Sequence, residues 1–223
     1  MPNEAKVVTA SAYSRAHPSE RYRQLLSLYQ QMHTGGEKPQ EMFAGISLAP
    51  QAGRIATLIK HTGATTLLDY GCGKARLYNN QVNVDGKVYV SIVDVWGLKQ
   101  VTLYDPAYPP YIALPQGKFD GVICTDVLEH CPQEDMEWIL GELFSYANHF
   151  VFANIAAYPA MKTLPNGENA HCTIQPLAWW KSLIDRVAEP YPQVQFQFIV
   201  TESGGTCEAP QRIEHTIERI FKR

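Results

Sequence analysis

The chain has 223 residues, of which 45% are hydrophobic, 11% are aromatic and 18% are charged, and its net charge is −3 at pH 7. This apolar content excludes a disordered chain, and the lack of a basic excess argues against a nucleic-acid partner. No apolar run approaches the roughly 20 residues that span a bilayer, so we expect no membrane partner either.

The cysteine pattern and the first residues favour a reduced setting. Five cysteines, an odd number, stand in no disulfide-framework spacing. The first 14 residues lack the long apolar core of a secretion signal. We therefore predict a cytoplasmic protein whose length fits one domain with an appendage.

The first 62 residues carry two helical patterns. A helix is predicted to begin near His17-Pro18-Ser19-Glu20 and to end at Gly35-Gly36. Its apolar side chains recur at helical spacing, which favours a packing face: Tyr22, Leu25, Leu26, Tyr29, Met32 and His33. A second helix presents Ile55, Leu58 and Ile59. We interpret residues 1–62 as a helical lid segment and residues 63–223 as the main domain.

A strand followed by a glycine-rich turn opens the main domain. The apolar run Thr66-Leu67-Leu68 leads into Asp69-Tyr70, and Gly71-Cys72-Gly73 follows at once. In open α/β sheets such a turn lets the backbone approach a nucleotide beyond the carboxyl end of the strand. The G-x-G pattern alone is weak, because many surface turns contain it.

The segment after Ala75 predicts a β-hairpin in place of the usual long helix. Two alternating stretches, 81–84 and 87–90, flank Asp85-Gly86, which is a strong two-residue turn signal. We place this insertion at about residues 78–97. It either shapes the site or an interface, or it is a surface excursion.

The rest of the chain alternates between strand and helix patterns. Strands are predicted at 101–105, 119–126, 150–155 and 194–200, and helices at 134–148 and around Trp179 to Ile184. Such alternation predicts an α/β fold with a doubly wound, mainly parallel sheet. The tail at 212–221 suits a helix or one face of a strand equally well.

Three motifs taken together resemble the class I (Rossmann-like) S-adenosylmethionine (SAM) dependent methyltransferases. They are Asp69-x-Gly71-x-Gly73, the strand-end acid Asp105, and the run from Phe119-Asp120 to Asp126-Val127-Leu128-Glu129-His130. The resemblance covers roughly residues 64–200, and its last motif is the most specific. It implies a SAM site made by Asp69, Gly71, Cys72, Gly73, Asp105, Thr125 and Asp126.

Within that resemblance, Asp69 would accept from the amino group of SAM and Asp105 would receive the ribose hydroxyls. Thr125 and Asp126 would line the side nearest the sulfonium. The chain departs from the family after Asp105, because the 13 residues before Phe119 are rich in proline and leave no clear counterpart for the adenine-contacting acid. Position 75 is alanine where a third glycine is common.

The residues that follow predict an acceptor site. His130 and His171, with Asp126 beside them, are the candidate catalytic residues, since acceptor atoms that carry a proton need a base. Candidate substrate contacts are Tyr70, Tyr108, Glu129 and Asn169. Residues 158–171 form a polar loop that we expect to enclose a small acceptor together with the lid.

A metal is a weaker alternative at the same place. Asp126-x-x-Glu129-His130 is similar to the metal pattern of some O-methyltransferases, and carboxylate with imidazole suits a divalent ion. The same residues often begin a helix in relatives without metal, so we predict no metal ligands.

The sequence leaves three functions open. Methyl transfer to an O or N atom of a small molecule is the first. The alternative is an enzyme that uses SAM itself as substrate, cyclising it to azetidine-2-carboxylate and releasing methylthioadenosine. A non-catalytic SAM-binding protein is disfavoured, because the glycines and all three acids are present. The oligomeric state is not indicated.

Overall fold

The computed structural model describes residues 12–35, 41–84, 86–205 and 210–222. Its strands are β1 (Thr66–Tyr70), β2 (Val82–Val84), β3 (Lys87–Tyr89), β4 (Gln100–Tyr104), β5 (Phe119–Thr125), β6 (Ala147–Ala157), β7 (Gln195–Gly205) and β8 (Pro210–Arg219). Its α-helices are α1 (Glu20–Thr34), α2 (Ala52–Thr62), α3 (Ile92–Trp96), α4 (Met136–Tyr146) and α5 (Leu177–Ala188). Within the described ranges, none of the helices has the length and apolarity needed to cross a membrane.

Six strands form one sheet in the order β4-β1-β5-β6-β7-β8. The first five are parallel, and β8 runs antiparallel to β7. The mainly parallel α/β sheet predicted from the sequence is therefore confirmed. Chain order reverses at β1, which pairs with β4 on one side and β5 on the other, and such a reversal opens a crevice at the carboxyl ends of these strands.

Helices cover both faces of the sheet. On one face, α4 and α5 bury Leu140, Leu143 and Trp180 against the sheet. On the other face, α2, α3 and the hairpin strands pack over Leu67 and Phe152. The near-complete burial of these apolar side chains is the main stabilising term of the fold.

The second helix belongs to the sheet layers rather than to a lid. Ile55 and Leu58 of α2 are buried in the same cluster as Leu67 and Phe150 of the sheet. The apolar face of α2 packs on the sheet, so α2 is part of the main domain. The segment that covers the cavity therefore ends near Gln51, before the boundary that was expected at residue 62.

The inserted hairpin and the tail take definite forms. Strands β2 and β3 pair antiparallel, as predicted, and residue 85 of the turn lies outside the described residues. The ambiguous tail is the edge strand β8, which pairs with β7 from Phe196↔Arg219 to Gly205↔Pro210. Ile217 is buried against the core, so it lies on the face of β8 that packs inward, as one side of a strand does.

Candidate active site

A cavity of about 520 Å³ lies at the carboxyl ends of β1, β4 and β5. Helix α1 and residues 41–48 cover one side of it, and residues from the 158–171 loop form another wall. This is the crevice that the strand order predicts, closed over by the N-terminal segment.

The structure brings every predicted cofactor residue to this cavity. Its lining includes Asp69, Gly71, Cys72, Gly73, Asp105, Thr125 and Asp126. They come from three separate stretches of sequence, and parallel strands place their carboxyl ends side by side.

Backbone conformation and close packing require glycine in this turn, in addition to the approach of a ligand. Gly71 and Gly73 have φ values of 87° and 57°, which side-chain-bearing residues rarely adopt. A Cβ on Gly71 would lie 2.3 Å from Cγ2 of Val127, and one on Gly73 would lie 2.3 Å from the carbonyl oxygen of Phe43. The turn is therefore packed against the lid segment, and the backbone N–H of Lys74 donates to Phe43 O at 2.7 Å.

Asp69 is a buried carboxyl with one satisfied oxygen. The hydroxyl of Tyr78 donates to Oδ2 at 2.8 Å, whereas Oδ1 has no partner among the described residues. Burial raises the pKa of Asp69 to about 7, against the Tyr78 hydrogen bond, and the nearby charge of Asp105 adds to the rise. An unpartnered buried acceptor at a cavity wall fits a ligand that brings a hydrogen-bond donor.

Asp105 holds the turn as well as facing the cavity. Its Oδ2 accepts from Gly73 N and its Oδ1 from Ala107 N, both at 2.8 Å. Burial raises its pKa, and these backbone amides oppose the rise. A carboxylate accepts about four hydrogen bonds, so lone pairs remain for a ligand.

Asp126 and Glu129 share a motif but occupy different environments. Asp126 lines the cavity in a left-handed conformation (φ 58°) and accepts from Asn154 Nδ2 at 3.2 Å. Glu129 is fully buried, where Oε1 accepts from Ala156 N at 2.8 Å. Burial, followed by the charge of Asp126, raises the pKa of Glu129 well above its usual range. Its backbone oxygen also accepts from Cys172 N at 2.9 Å, so Glu129 anchors the polar loop rather than contacting a substrate.

The other three predicted substrate contacts also stand behind the cavity wall. The hydroxyl of Tyr70 points to Arg15 and Glu142 on the far side of β1. The side chain of Asn169 bonds both backbone groups of Ala160 at 2.9 Å, which fixes the loop. Tyr108 stacks on His33. These side chains support the site, and the structure does not place them in its lining.

The two predicted catalytic histidines lie together at the cavity. Their ring centroids are 4.8 Å apart, edge to face. Nδ1 of His130 lies 2.9 Å from Ala170 O and 3.0 Å from the Tyr29 hydroxyl, and Nδ1 of His171 lies 2.6 Å from Tyr158 O. A carbonyl only accepts, so both rings carry their hydrogen on Nδ1 and keep Nε2 as a proton acceptor. Burial, followed by the neighbouring His171, lowers the pKa of His130 to about 4.

Several lining residues were not among the individual site residues predicted from the sequence: Tyr29, His33, Phe43, Tyr158, Lys162 and Arg212. All of them except Arg212 lie in the lid segment or in the 158–171 loop, which were expected to enclose an acceptor. Tyr29 and His33 belong to the helical stripe that predicted packing, and its spacing does not say what the face covers. Arg212 reaches the cavity from β8, where its guanidinium lies 3.7 Å from the ring centroid of Tyr158. No local pattern marks Arg212, because the pairing of β8 with β7 sets its position.

The metal alternative gains no support from the arrangement. In the part of the chain that the structure describes, no group of three or more His, Cys, Asp and Glu side chains is arranged to hold an ion. The absence of metal ligands stays a prediction.

Comparison with known proteins gives distant structural likenesses. No protein-family model and no curated protein matches the chain. Magnesium protoporphyrin IX methyltransferase (ChlM) from Synechocystis PCC 6803, solved with bound SAH, is 15% identical over 89% of this chain and 96% of its own, with a TM-score of 0.45. The mitomycin 7-O-methyltransferase MmcR is 14% identical over 83% of this chain and 50% of its own, with a TM-score of 0.42. At these values the likenesses assign no activity to this chain.

Proposed function

We propose that this protein is a SAM-dependent methyltransferase that acts on an O or N atom of a small molecule. The observation that carries the proposal is the convergence of three strand-end acids and the glycine turn on one cavity, where Oδ1 of the buried Asp69 has no partner in the part of the chain that the structure describes. These are the residues through which the sequence resembles that family.

The cavity residues suit the parts of SAM. Oδ1 of Asp69 is available for the ammonium group, and Asp105 has lone pairs left for ribose hydroxyls. Asp126 places a carboxylate on the cavity wall, which would favour the positive sulfonium. When bound, SAM supplies a methyl group on a sulfur that leaves readily without help from an acid.

The chain's own contribution is placement and proton transfer. His171 keeps Nε2 free to accept a proton, because its Nδ1–H is fixed on Tyr158 O. His130 is a weaker base, since its pKa is lowered to about 4, so we assign the base role to His171 and a positioning role to His130. The cavity of about 520 Å³ lies in the range of pockets that hold one drug-sized ligand. With SAM bound in it, only a small acceptor would fit beside the cofactor.

The first test is binding and then turnover. Titration calorimetry with S-adenosylhomocysteine (SAH) should show one site per chain, and an assay with SAM and a panel of small phenols, alcohols and amines should yield SAH. His171→Gln should lower turnover by about 10²- to 10⁴-fold with SAH affinity unchanged. A protein that binds no SAH would refute the proposal.

The second candidate, cyclisation of SAM, is favoured by one observation. Asp69 faces the position proposed for the amino group and has a pKa of about 7, so it is able to take a proton there. The freed amine nitrogen of the substrate would attack its own γ-carbon, the carbon–sulfur bond would break, and methylthioadenosine would leave with the sulfur's electron pair.

Incubation with SAM alone separates the two reactions. Mass spectrometry that finds methylthioadenosine and azetidine-2-carboxylate in equal amounts would establish cyclisation and exclude methyl transfer as the main activity. SAH formed only when an acceptor is added would establish methyl transfer. SAH binding with neither product across the panel would favour a binding protein without catalysis.

A further inference from the structure

His33 is a buried polar side chain that the proposed reaction does not use. It stands in the last turn of α1, is 5% exposed and lines the cavity. Its ring lies between Phe43 and Tyr108, with centroid distances of 4.9 and 5.0 Å, and it is nearly parallel to Tyr108. Both neighbours hold the ring in place, so its nitrogen atoms have fixed positions.

Neither nitrogen of His33 has a hydrogen-bond partner among the described residues. Nδ1 is buried without one. Nε2 lies 4.0 Å from Oδ1 of Asp105, which is too long for a direct hydrogen bond. One hydroxyl oxygen placed between these two atoms would be at ordinary hydrogen-bond distance from each. Native structures rarely leave a buried imidazole without any hydrogen bond, and a hydroxyl between Nε2 and Asp105 would supply one to this ring.

The charge state of His33 suits a neutral ligand group. Burial, and then the charge of Lys74, lowers the pKa of His33 to about 4, so the ring is neutral at physiological pH. A neutral imidazole offers one N–H donor and one bare acceptor nitrogen. A hydroxyl group can use a donor and an acceptor at the same time, which an ammonium or a carboxylate group cannot.

We propose that His33 and Asp105 together form the ribose subsite of the cavity, in which the imidazole N–H donates to one hydroxyl of the cis-diol and that hydroxyl donates to Asp105. This inference rests on the proposed SAM site. It assigns a nucleoside contact to the lid helix, in a chain whose short, proline-rich stretch after Asp105 lacks the usual adenine-contacting acid.

The subsite also connects the ligand to closure of the lid. Nζ of Lys74, next to the glycine turn, donates to the backbone oxygen of His33 at 2.9 Å. A ribose held by His33 would therefore bind to the end of a helix that is itself bonded to the residue following the glycine turn. Discrimination against deoxyribose ligands follows, because a missing hydroxyl would leave the imidazole N–H without an acceptor, whereas Asp105 would keep its bonds from Gly73 N and Ala107 N.

A ligand–protein cycle measured by titration calorimetry tests the subsite. Wild type and His33→Phe, which keeps ring stacking but removes both nitrogens, are each titrated with SAH, 2′-deoxy-SAH and 3′-deoxy-SAH. His33→Phe should bind SAH about five- to tenfold more weakly, the loss expected for one hydrogen bond. One of the two deoxy ligands should bind the variant and the wild type equally. His149→Gln, an exposed histidine outside the cavity, is the matched control and should bind all three ligands as wild type does.

The outcomes separate this inference from the proposed function. Unchanged SAH affinity in His33→Phe, or an equal loss for all three ligands, would overturn the ribose contact while leaving the SAM site intact. No SAH binding by wild type would remove the proposed function as well. If His33→Phe does not fold, the wild type decides the matter, since equal affinity for SAH and both deoxy forms would overturn the subsite.

Discussion

Asp69 and Asp105 stand at the ends of neighbouring parallel strands, yet their surroundings give them different tasks. Asp105 has both oxygens on backbone amides, so it shapes the turn and presents a pre-oriented acceptor. One oxygen of Asp69 accepts from Tyr78, and the other has no partner among the described residues. The unpartnered oxygen is unfavourable in free energy until a ligand donor binds it.

Asp105→Asn should weaken SAH binding by about 1.5–3 kcal/mol, because hydrogen bonds to a charged group are stronger than neutral ones. The amide also turns a donor toward either Gly73 N or Ala107 N. Calorimetry measures the loss, and Asp94→Asn, an exposed acid on α3, should bind like wild type. Unchanged SAH affinity in Asp105→Asn would contradict the ribose assignment.

The free energy of unfolding should depend on pH through Asp69. Its folded pKa of about 7 lies above the ordinary value of 3.8, so the folded state binds the proton more tightly than the unfolded state. The stability contribution is therefore full below pH 3.8 and is lost as pH rises through about 7.

Asp69→Asn keeps an acceptor for Tyr78 and cannot ionise, so its free energy of unfolding should not fall as Asp69 of the wild type loses its proton. From pH 4 to pH 8 the variant should therefore become more stable relative to wild type, by on the order of a few kcal/mol. Urea denaturation at several pH values checks this. A stability difference that does not change with pH would mean that Asp69 ionises normally in the folded protein.

At the scale of elements, the glycine turn and the lid segment form one unit. The carbonyl of Phe43 occupies the space that a side chain at position 73 would need. The 41–45 segment also accepts from Lys74 N and Arg76 N. The turn therefore takes its shape from the lid, and a substitution in one should disturb the other.

Gly73→Ala should destabilise the protein by about 2 kcal/mol or more, because it combines a left-handed φ with a backbone clash. Gly53→Ala, in the first turn of α2 with open space around it, should be neutral or stabilising by up to about 1 kcal/mol. Thermal and urea unfolding measure both. Equal effects of the two substitutions would show that the lid segment does not constrain the turn.

Element-scale periodicity also explains what the sequence could and could not predict. The meeting of the acids and glycines at one cavity could be predicted, because strand ends and turns are local signals and parallel strands must bring them together. Tyr70 was misplaced for an equally local reason: it follows Asp69 in a strand, so the two side chains point to opposite faces. The positions of His33 and Arg212 depend on how α1 and β8 dock, and no local pattern encodes those long-range contacts.

At the scale of the whole molecule, one ion pair fastens the N-terminal segment to the sheet and to α4. Arg15 forks onto Glu142 and also donates to the hydroxyls of Tyr70 and Tyr104, at 2.6 and 2.8 Å. Burial lowers the pKa of Arg15, but the hydrogen bond that Arg15 donates to Glu142 and the nearby groups raise it by more. Arg15 lies just before α1, so the Arg15–Glu142 pair fixes the position at which the lid helix begins.

A double-mutant cycle on Arg15→Gln and Glu142→Gln should give a coupling energy of about 1–2 kcal/mol, since the side chains are only 28% and 19% exposed and the contact is a bidentate fork. The Arg23–Glu20 pair lies on α1 with side chains 55% and 70% exposed, so its cycle should give about 0.5 kcal/mol or less. Arg15→Gln should also weaken SAH binding, because α1 covers the cavity, whereas Arg23→Gln should not. A coupling energy no larger than that of the surface pair would mean that the lid is held by its apolar contacts with the 160–172 loop, where Leu25 and Leu164 are buried together.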